Sequence, residues 1–363
     1  MTVTVQAIQD AIQAVIDPNT GKDFVSTKAV KNLAVSGDDV AFDVELGYPA
    51  KSQVASLRAA LIAAAKGVAG VTNVSVNVTT NIVAHAVQRG VQLLPGVKNI
   101  VAVASGKGGV GKSTTAVNIA LALAAEGARV GLLDADIYGP SLPMMMGLQG
   151  RPESADGKTM EPMENHGVQV MSIGFLVDGD QAMIWRGPMA TQALEQLLRQ
   201  TNWKDLDYLI VDLPPGTGDI QLTLSQRVPM TGAVIVTTPQ DIALLDAKKG
   251  IKMFEKVGVP ILGIVENMAV HVCSNCGHVE HIFGADGGKK MAADYHMDYL
   301  GALPLALQIR VQADSGQPTV VADPDGEIAG IYKAVARQVA VSIAARNKDF
   351  SGKFPSITIS KAT

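Results

Sequence analysis

A glycine-rich segment with two lysines has the residue types of a phosphate-binding loop. Gly106, Gly111, Lys112 and Ser113 meet the spacing G-x-x-x-x-G-K-[ST], and an apolar run over 97–104 precedes them. In a strand, loop and helix of this kind, glycine N–H groups surround the β-phosphate while the lysine neutralises the β/γ charge. The serine hydroxyl can ligate Mg²⁺ at the helix N-terminus. The segment therefore predicts a nucleoside triphosphate site.

Lys107 adds a second cation near the start of this loop. Because Lys112 already neutralises the phosphates, Lys107 would be repelled unless it points elsewhere. The nucleotide of a second subunit is one place for it, and a solvated lysine is the alternative. The predicted nucleotide-binding residues of the loop are Gly106, Lys107, Gly108, Gly109, Val110, Gly111, Lys112, Ser113 and Thr114.

Acidic residues follow two further apolar runs of the chain. Asp134 and Asp136 come after the first run, and Asp212 lies near the end of the second. We expect Asp134 and Asp212 to hold Mg²⁺ through its waters, and Asp136 to orient or deprotonate the attacking water. Gly216 has a backbone N–H that can approach the γ-phosphate and move once that group leaves. The alternative is that an aspartate at a strand end merely caps a helix.

Cys273 and Cys276 form a Cys-x-x-Cys pair and are the two cysteines of the chain. Two thiolates can hold a metal from one side, but they cannot close a four-coordinate site. Either histidines such as His278 and His281 complete a zinc site, or another chain does. Because Lys107 predicts a face-to-face dimer, two pairs meeting at the two-fold axis suit a bridging [4Fe-4S] cluster. Zinc and a redox dithiol are the alternatives.

The elements that must position these residues are readable from the apolar pattern. From about residue 97, short apolar strands alternate with longer helices, which predicts an α/β P-loop fold with a mostly parallel, doubly wound sheet. The strands are buried on both faces, and ligands bind beyond their carboxyl ends. The predicted strands of this part cover 97–104, 128–133, 208–213, 232–237 and 260–265, and a helix is predicted over 327–346.

The first eighty residues have a different pattern and predict a small α+β module. Helical spacing begins at Val5 and again at Val54, and alternating apolar residues predict strands over 40–46 and 71–78. The predicted organisation is an accessory domain over 1–80, a linker over 81–96, a P-loop domain over 97–350 and a polar tail over 351–363.

Composition limits the classes of protein to which the chain can belong. It has 363 residues, 47% of them hydrophobic and 18% charged, enough to bury a large core. A net charge of −4 argues against nucleic acid as the main partner. We find no apolar stretch of membrane-spanning length and no signal peptide, and we expect a cytoplasmic protein without a membrane partner.

The S-G-K-G-G-V-G-K-S form over 105–113 resembles the deviant P-loop ATPases of the MinD, ParA and nitrogenase iron protein superfamily. In that superfamily the signature lysine reaches across a dimer to the opposite ATP, which is the role implied for Lys107. The segments 134–141 and 212–219 resemble its two switch regions. Asn267 matches the position from which an asparagine amide reads adenine, so the resemblance implies ATP rather than GTP; closing a turn is the alternative.

The N-terminal module resembles the accessory domain of iron-sulfur assembly proteins, including its Asp-Pro-x-Thr turn. It contains no cysteine, which favours a docking or scaffolding role over cluster binding. Together with the loop, the switch segments and the Cys-x-x-Cys pair, it makes nearly the whole chain resemble the Mrp/ApbC iron-sulfur cluster carrier ATPases. The resemblance implies transient cluster binding, an iron-sulfur assembly scaffold as partner, transfer to apoproteins and slow ATP hydrolysis that regulates the cycle.

Three rival functions use only part of these features. A MinD- or ParA-like regulatory ATPase with a zinc or redox Cys-x-x-Cys is the main alternative, but its membrane or DNA attachment surface is not evident. A nitrogenase-type reductase would place its cysteines at the ends of separate strands. A pure scaffold would not require an intact set of Lys112, Ser113, Asp136 and Asp212. The predicted catalytic residues are Lys107, Lys112 and Asp136. We therefore predict an ATP-dependent iron-sulfur cluster carrier.

Overall fold

The computed structural model describes residues 3–88, 91–177 and 187–346 of the chain. The predicted polar tail over 351–363 and the last four residues of the predicted P-loop domain, 347–350, lie outside these ranges. Among the described residues, no helix combines the length and the apolarity that a membrane crossing requires.

The first elements of the chain form a three-stranded sheet with two helices. They are α1 (Val5–Gln13), β1 (Val30–Ser36), β2 (Asp39–Leu46), α2 (Val54–Lys66) and β3 (Asn73–Thr80). β2 lies in the middle, antiparallel to β1 and parallel to β3. Alternate residues of β2 are buried, namely Val40, Phe42, Val44 and Leu46, as its period of two predicts.

The sequence pattern does not predict β1. The pairing of β1 with β2 shifts between Lys31 and Ala34, and Asn32 has a φ of 52° in the left-handed region. A bulge of this kind inserts a residue into the strand and breaks the alternation of buried and exposed positions. Periodicity therefore carries no strand signal in this segment.

The remaining strands form an eight-stranded sheet and a two-stranded hairpin. The strands are β4 (Val97–Ala104), β5 (Val130–Asp134), β6 (Met163–Asn165), β7 (Val168–Ser172), β8 (Leu206–Asp212), β9 (Gly232–Thr237), β10 (Ile261–Glu266), β11 (His271–Val272), β12 (Val279–Glu280) and β13 (Tyr299–Ala302). The helices are α3 (Lys112–Ala125), α4 (Leu142–Met145), α5 (Gly187–Gln200), α6 (Asp219–Arg227), α7 (Asp241–Lys256), α8 (Gly287–Asp294), α9 (Leu307–Asp314), α10 (Thr319–Ala322) and α11 (Glu327–Ala344).

The eight-stranded sheet has the order β13-β10-β9-β4-β8-β5-β7-β6. Every neighbouring pair is parallel except β6 with β7. The strands β5, β8 and β9 are buried along their whole length, because helices cover both faces of a doubly wound sheet. The predicted fold class is confirmed, and the carboxyl ends of the parallel strands meet at one edge.

The segment predicted to be a linker packs against the sheet where it is described. Ile82 and His85 are buried, and the Lys98 ammonium donates a hydrogen bond of 2.9 Å to the Ile82 carbonyl. The Asn99 side chain donates to the Val83 carbonyl at 3.0 Å. These bonds hold the entry to β4 in place.

A buried ion pair of the larger domain is also hydrogen-bonded to the N-terminal module. Glu126 ends α3 and is paired with Arg337 of α11 at 2.6 Å; their side chains are 1% and 11% exposed. The Ser52 hydroxyl and backbone N–H donate to the two oxygens of the same carboxylate. Arg337 also donates to Asn19, in the Asp-Pro-Asn-Thr turn. The turn that resembles the Asp-Pro-x-Thr turn of iron-sulfur assembly proteins therefore contacts α11 of the larger domain.

We expect Arg337→Ala to lower the free energy of unfolding by about 3 kcal/mol, because it leaves the Glu126 carboxylate buried without its cation. Chemical denaturation followed by circular dichroism measures the change. The matched control is Arg310→Ala, which removes an exposed pair with Asp314 within α9 and is expected to cost less than about 1 kcal/mol. Equal losses of unfolding free energy from the two substitutions would contradict the stabilising role assigned to the buried Glu126–Arg337 pair.

Candidate functional site

The predicted phosphate-binding loop lies at the carboxyl edge, between β4 and α3. Gly111 has a φ of 81°, a left-handed conformation that glycine adopts without strain, and α3 begins at the next residue. Gly106 packs so closely against the backbone of Asp246 in α7 that a Cβ would collide with it. Both glycines are therefore required by the local geometry.

Lys112 and Asp212 form a buried ion pair at the centre of this edge. The Lys112 ammonium lies 2.6 Å from Asp212 Oδ1 and 3.3 Å from the Ser113 hydroxyl. The two side chains of the pair are 6% and 0% exposed. Within the described residues, Asp212 Oδ2 is buried without a hydrogen-bond partner. A free carboxylate oxygen of this kind fits the preference of Mg²⁺ for oxygen ligands, and the Ser113 hydroxyl contacts the same ammonium as the carboxylate does.

Asp134 faces Asp212 across the paired strands β5 and β8. Its oxygens accept hydrogen bonds from the N–H groups of Asp136, Ser141 and Leu142 and from the Ser172 hydroxyl. Burial, and then the Asp212 carboxylate, raise the pKa of Asp134 to about 7. Asp134 thus caps the turn leading into α4. That it also holds Mg²⁺ through water molecules stays a prediction.

The raised pKa of Asp134 predicts a pH-dependent stability. Because the folded state holds this proton more tightly than the unfolded state, its contribution is lost as pH rises from about 4 through about 7. Between about pH 5 and pH 8, the unfolding free energy of the wild type should fall relative to Asp134→Asn by about 3 kcal/mol. Urea denaturation with EDTA and without nucleotide measures this; a difference independent of pH contradicts it.

Asp136 and Gly216 lie on the two loops that border the ion pair. Burial raises the pKa of the half-buried Asp136, against the opposing effect of the nearby Lys112 charge. Gly216 has a φ of 94° and donates its N–H to the Ser105 carbonyl at 3.0 Å. The structure brings both predicted residues to the edge that carries the loop, while their roles stay predictions.

The loop's outer residues include Lys107, Gly108 and Gly109. The two glycines are exposed, and Lys107 is half-buried, with its carbonyl accepting from the Ser105 hydroxyl at 2.9 Å. Thr114 lies in the first turn of α3, where its carbonyl accepts a hydrogen bond from the Asn118 side chain. A reach of Lys107 to a second subunit stays a prediction.

Asn267 contacts the phosphate-binding loop directly. Its side-chain Nδ2 donates to the Val110 carbonyl at 2.8 Å, and the residue is 7% exposed. A Cβ on Gly111 would collide with the same amide. The amide donor is therefore engaged by protein backbone, and adenine recognition stays a prediction.

Cys273 and Cys276 lie in the turn between β11 and β12. The Cys273 N–H donates to the His278 carbonyl, and the Gly277 N–H donates to the Cys273 carbonyl. Hydrogen bonds from the backbone of Asn275 and Cys276 lower the pKa of the Cys273 thiol. Cys276 is exposed and Cys273 is half-buried, so the turn presents both sulfurs at the surface.

The histidines of the zinc alternative point to other partners. His281 Nδ1 lies 2.8 Å from the Ala269 carbonyl, and His278 Nε2 lies 3.7 Å from Glu280. In the described parts of the chain, no His, Cys, Asp or Glu joins the two cysteines in a group of three. One protomer supplies two close thiols, as the spacing predicts.

The sequence analysis assigns no role to two residues of this site, Glu266 and Ser172. Glu266, at the end of β10, is 2% exposed and accepts a hydrogen bond from the Gly288 N–H at the start of α8. A carboxylate at the end of an apolar run is a usable signal for it. Ser172 is wholly buried and bonds to Asp134, but it lies on a different strand and has no motif around it.

Two family models match the chain. Residues 96–340 match a family described as NUBPL iron-transfer P-loop NTPase, and residues 5–78 match one described as iron-sulfur cluster assembly protein. An iron-sulfur cluster carrier protein of Escherichia coli K12 is 64% identical over 249 residues, covering 68% of each chain. One of Haemophilus influenzae is 50% identical over 337 residues, covering 93% of this chain and 91% of its own.

Solved structures share the fold of the larger domain. A nucleotide-binding protein of Archaeoglobus fulgidus, in complex with ADP, aligns with a TM-score of 0.56 and 37% identity over 64% of this chain and 90% of that chain. MinD of Pyrococcus horikoshii, complexed with Mg-ADP, aligns with a TM-score of 0.51 and 22% identity over 68% of this chain and 98% of its own. The second likeness concerns the fold alone.

Proposed function

The chain belongs to the NUBPL iron-transfer P-loop NTPase family, and from that premise we propose that it is an ATP-dependent iron-sulfur cluster carrier. One observation carries the proposal. The Cys-x-x-Cys hairpin begins at His271, shortly after the carboxyl end of β10 and Asn267, whose side chain bonds to the phosphate-binding loop. The loop after β4 and the cysteine segment after β10 thus start from the same edge of the sheet and are linked through Asn267. The division into domains over 1–80 and 97–350, with 81–96 between them, and a cytoplasmic location belong to the proposal.

The nucleotide site would hydrolyse ATP slowly. The Lys112 ammonium would leave Asp212 for the β- and γ-phosphates, while Ser113 and Asp212 would hold Mg²⁺, which neutralises charge on the phosphate oxygens. Asp136 would orient the attacking water and accept its proton. The water oxygen bonds to the γ-phosphorus, the bond to the bridging oxygen breaks, and ADP leaves with inorganic phosphate. Asn267 is proposed to favour adenine.

The cysteine pair would hold the cargo between two copies of the chain. Each protomer supplies Cys273 and Cys276, so a homodimer presents four thiolates, one for each iron of a [4Fe-4S] cluster. An assembly scaffold would supply the cluster, and apoproteins would receive it. In transfer, each acceptor thiol binds iron as a thiolate in place of a carrier thiolate, and its proton passes to the carrier thiolate that leaves. No electron moves in this exchange.

An anaerobic transfer assay tests the proposal. The reconstituted full chain is mixed with an apo-enzyme whose activity requires a [4Fe-4S] cluster, and recovered activity is followed with and without ATP and Mg²⁺. We expect transfer from the reconstituted chain to exceed that from free iron and sulfide, and to depend on nucleotide. A chain that hydrolyses ATP but holds no cluster would instead support a regulatory ATPase.

Lys107→Ala is expected to weaken ATP-dependent dimerisation by about tenfold or more, because the charge proposed to reach the partner's phosphates is lost. Sedimentation velocity with ATP and Mg²⁺ measures the dissociation constant. Lys158→Ala, which removes an exposed lysine from another loop, is the control. Unchanged dimerisation of the Lys107 variant contradicts the proposed trans contact.

A further inference from the structure

The segment that carries the cysteines is anchored at both ends by two adjacent residues, Glu266 and Asn267. At its beginning, the Asn267 N–H donates to the Thr237 carbonyl of β9 at 2.7 Å. At its end, the Glu266 carboxylate accepts from the Gly288 N–H of α8. The residues 268–286 therefore leave and return to one point of the sheet. A displacement of that point moves both ends of the cysteine segment.

The same point is fastened to the phosphate-binding loop. The Asn267 amide donates to the Val110 carbonyl at 2.8 Å and packs against the Cα of Gly111, where no Cβ fits. Both Asn267 and Val110 are buried, so water cannot readily replace the bond. A movement of the loop at Val110 and a movement of the Asn267 side chain are thus linked.

Backbone hydrogen bonds continue the connection to the hairpin. Ala269 donates to the Leu303 carbonyl at 3.0 Å, and Leu305 donates to the Val270 carbonyl at 2.8 Å. His271, the first residue of β11, places its Nδ1 2.9 Å from the Leu305 carbonyl. This short ladder pairs residues 269–271 with the segment after β13 and so provides a continuous hydrogen-bonded path from Asn267 towards the hairpin.

Met268, directly after Asn267, has a strained backbone conformation. Its φ of 57° lies in the left-handed region, which a methionine adopts only when its surroundings hold it there. The bonds of Asn267 on one side and of Ala269 on the other supply that constraint. Release of the first allows the backbone at this position to relax.

We propose that Asn267 is a positioning residue, through whose bond to Val110 the state of the phosphate-binding loop sets the conformation of the cysteine hairpin. The inference rests on the proposed function and names the contacts through which the nucleotide site would act on the cluster site. Nucleotide binding rearranges the loop, the amide follows the Val110 carbonyl, and the ladder carries the change to Cys273 and Cys276.

The test uses the cluster-free, reduced full chain. Because the chain contains two cysteines, both in the hairpin, reaction with 5,5′-dithiobis(2-nitrobenzoic acid) reports on this site alone. Its rate is measured without nucleotide and with saturating Mg²⁺ and adenylyl imidodiphosphate, and calorimetry gives the affinity of each variant. For the wild type we expect the nucleotide to change the rate by about fivefold or more.

Asn267→Ala should abolish this response at saturating nucleotide, and Asn267→Asp, which keeps the shape but loses the donor, should do the same. The matched control is Asn165→Ala, since Asn165 also donates from its side chain to a backbone carbonyl, that of Met146, at 2.7 Å. It should respond as the wild type does. Thermal unfolding shows whether each variant is folded. If the alanine variant is not folded, the aspartate variant alone provides the test.

The outcomes separate the inference from the proposed function. A response that persists in folded Asn267 variants overturns the inference, even if they lose discrimination between ATP and GTP, because Asn267 would then read the base only. A wild type that binds nucleotide without any change in thiol reactivity overturns it as well, while leaving the nucleotide site and the cluster site intact. A wild type that binds no nucleotide overturns the proposed function and this inference with it.

Discussion

Lys112→Ala is expected to lower the rate of ATP hydrolysis by about a hundred- to a thousand-fold, the usual cost of removing a group that stabilises transition-state charge in a closed site. The Lys112 side chain is 6% exposed, and its ammonium contacts Ser113 and Asp212. Steady-state phosphate release at saturating Mg-ATP measures the change.

A loss of folding could imitate this loss of catalysis. Removal of Lys112 leaves the fully buried Asp212 carboxylate without its cation, which is expected to cost about 3 kcal/mol of stability or more. The double variant Lys112→Met/Asp212→Asn removes both charges and should recover most of that stability while remaining inactive. If the double variant hydrolysed ATP at the wild-type rate, the assignment of the phosphate site would be wrong.

Cys273→Ser/Cys276→Ser is expected to abolish cluster binding. Anaerobic reconstitution of the wild type should give about four irons and four sulfides per dimer with visible absorbance, and the double variant should stay colourless. Serine preserves the size of the side chain but is a poor ligand for iron, so the fold of the hairpin is disturbed little. Iron and sulfide analysis with visible spectroscopy measures the outcome.

The matched control for the cysteine pair is His278→Ala/His281→Ala. Neither imidazole faces the thiols in this structure, since His281 bonds to the Ala269 carbonyl and His278 lies beside Glu280. The histidine variant should therefore bind as much iron as the wild type. Loss of metal from this variant, with one zinc per protomer in the wild type, would favour the mononuclear zinc site instead.

The phosphate-binding loop could be predicted because its signal is local. The spacing from Gly106 to Ser113 places a turn before a helix, and the apolar run before it is the strand that positions the turn. The cysteine pair is similar, since a Cys-x-x-Cys spacing brings two sulfurs onto one turn whatever surrounds it. The aspartates at the ends of β5 and β8 could be assigned to one edge because parallel strands share it.

Other parts of the site depend on contacts between distant segments. Asp134 follows the predicted strand, but its four hydrogen bonds come from the turn before α4 and from β7. Glu266 caps a helix that begins only after the cysteine segment. The hydrogen bonds of Ser52 and Arg337 to Glu126 bring together three segments that are far apart in the sequence. No periodicity or motif reports such pairings.

The sequence by itself therefore determined the glycine-rich loop, the acidic residues at strand ends, the Cys-x-x-Cys pair and the class of fold that carries them. Each of these follows from residue type and short-range spacing, which the backbone geometry of a turn, a strand or a helix translates directly into position. Only the tertiary structure decided that Asn267 bonds to the loop at Val110 and that Glu266 closes the cysteine segment. Those bonds exist because only β9 lies between β10 and β4 in the sheet, and the carboxyl ends of all three strands meet at the same edge. Long-range packing selects this strand order.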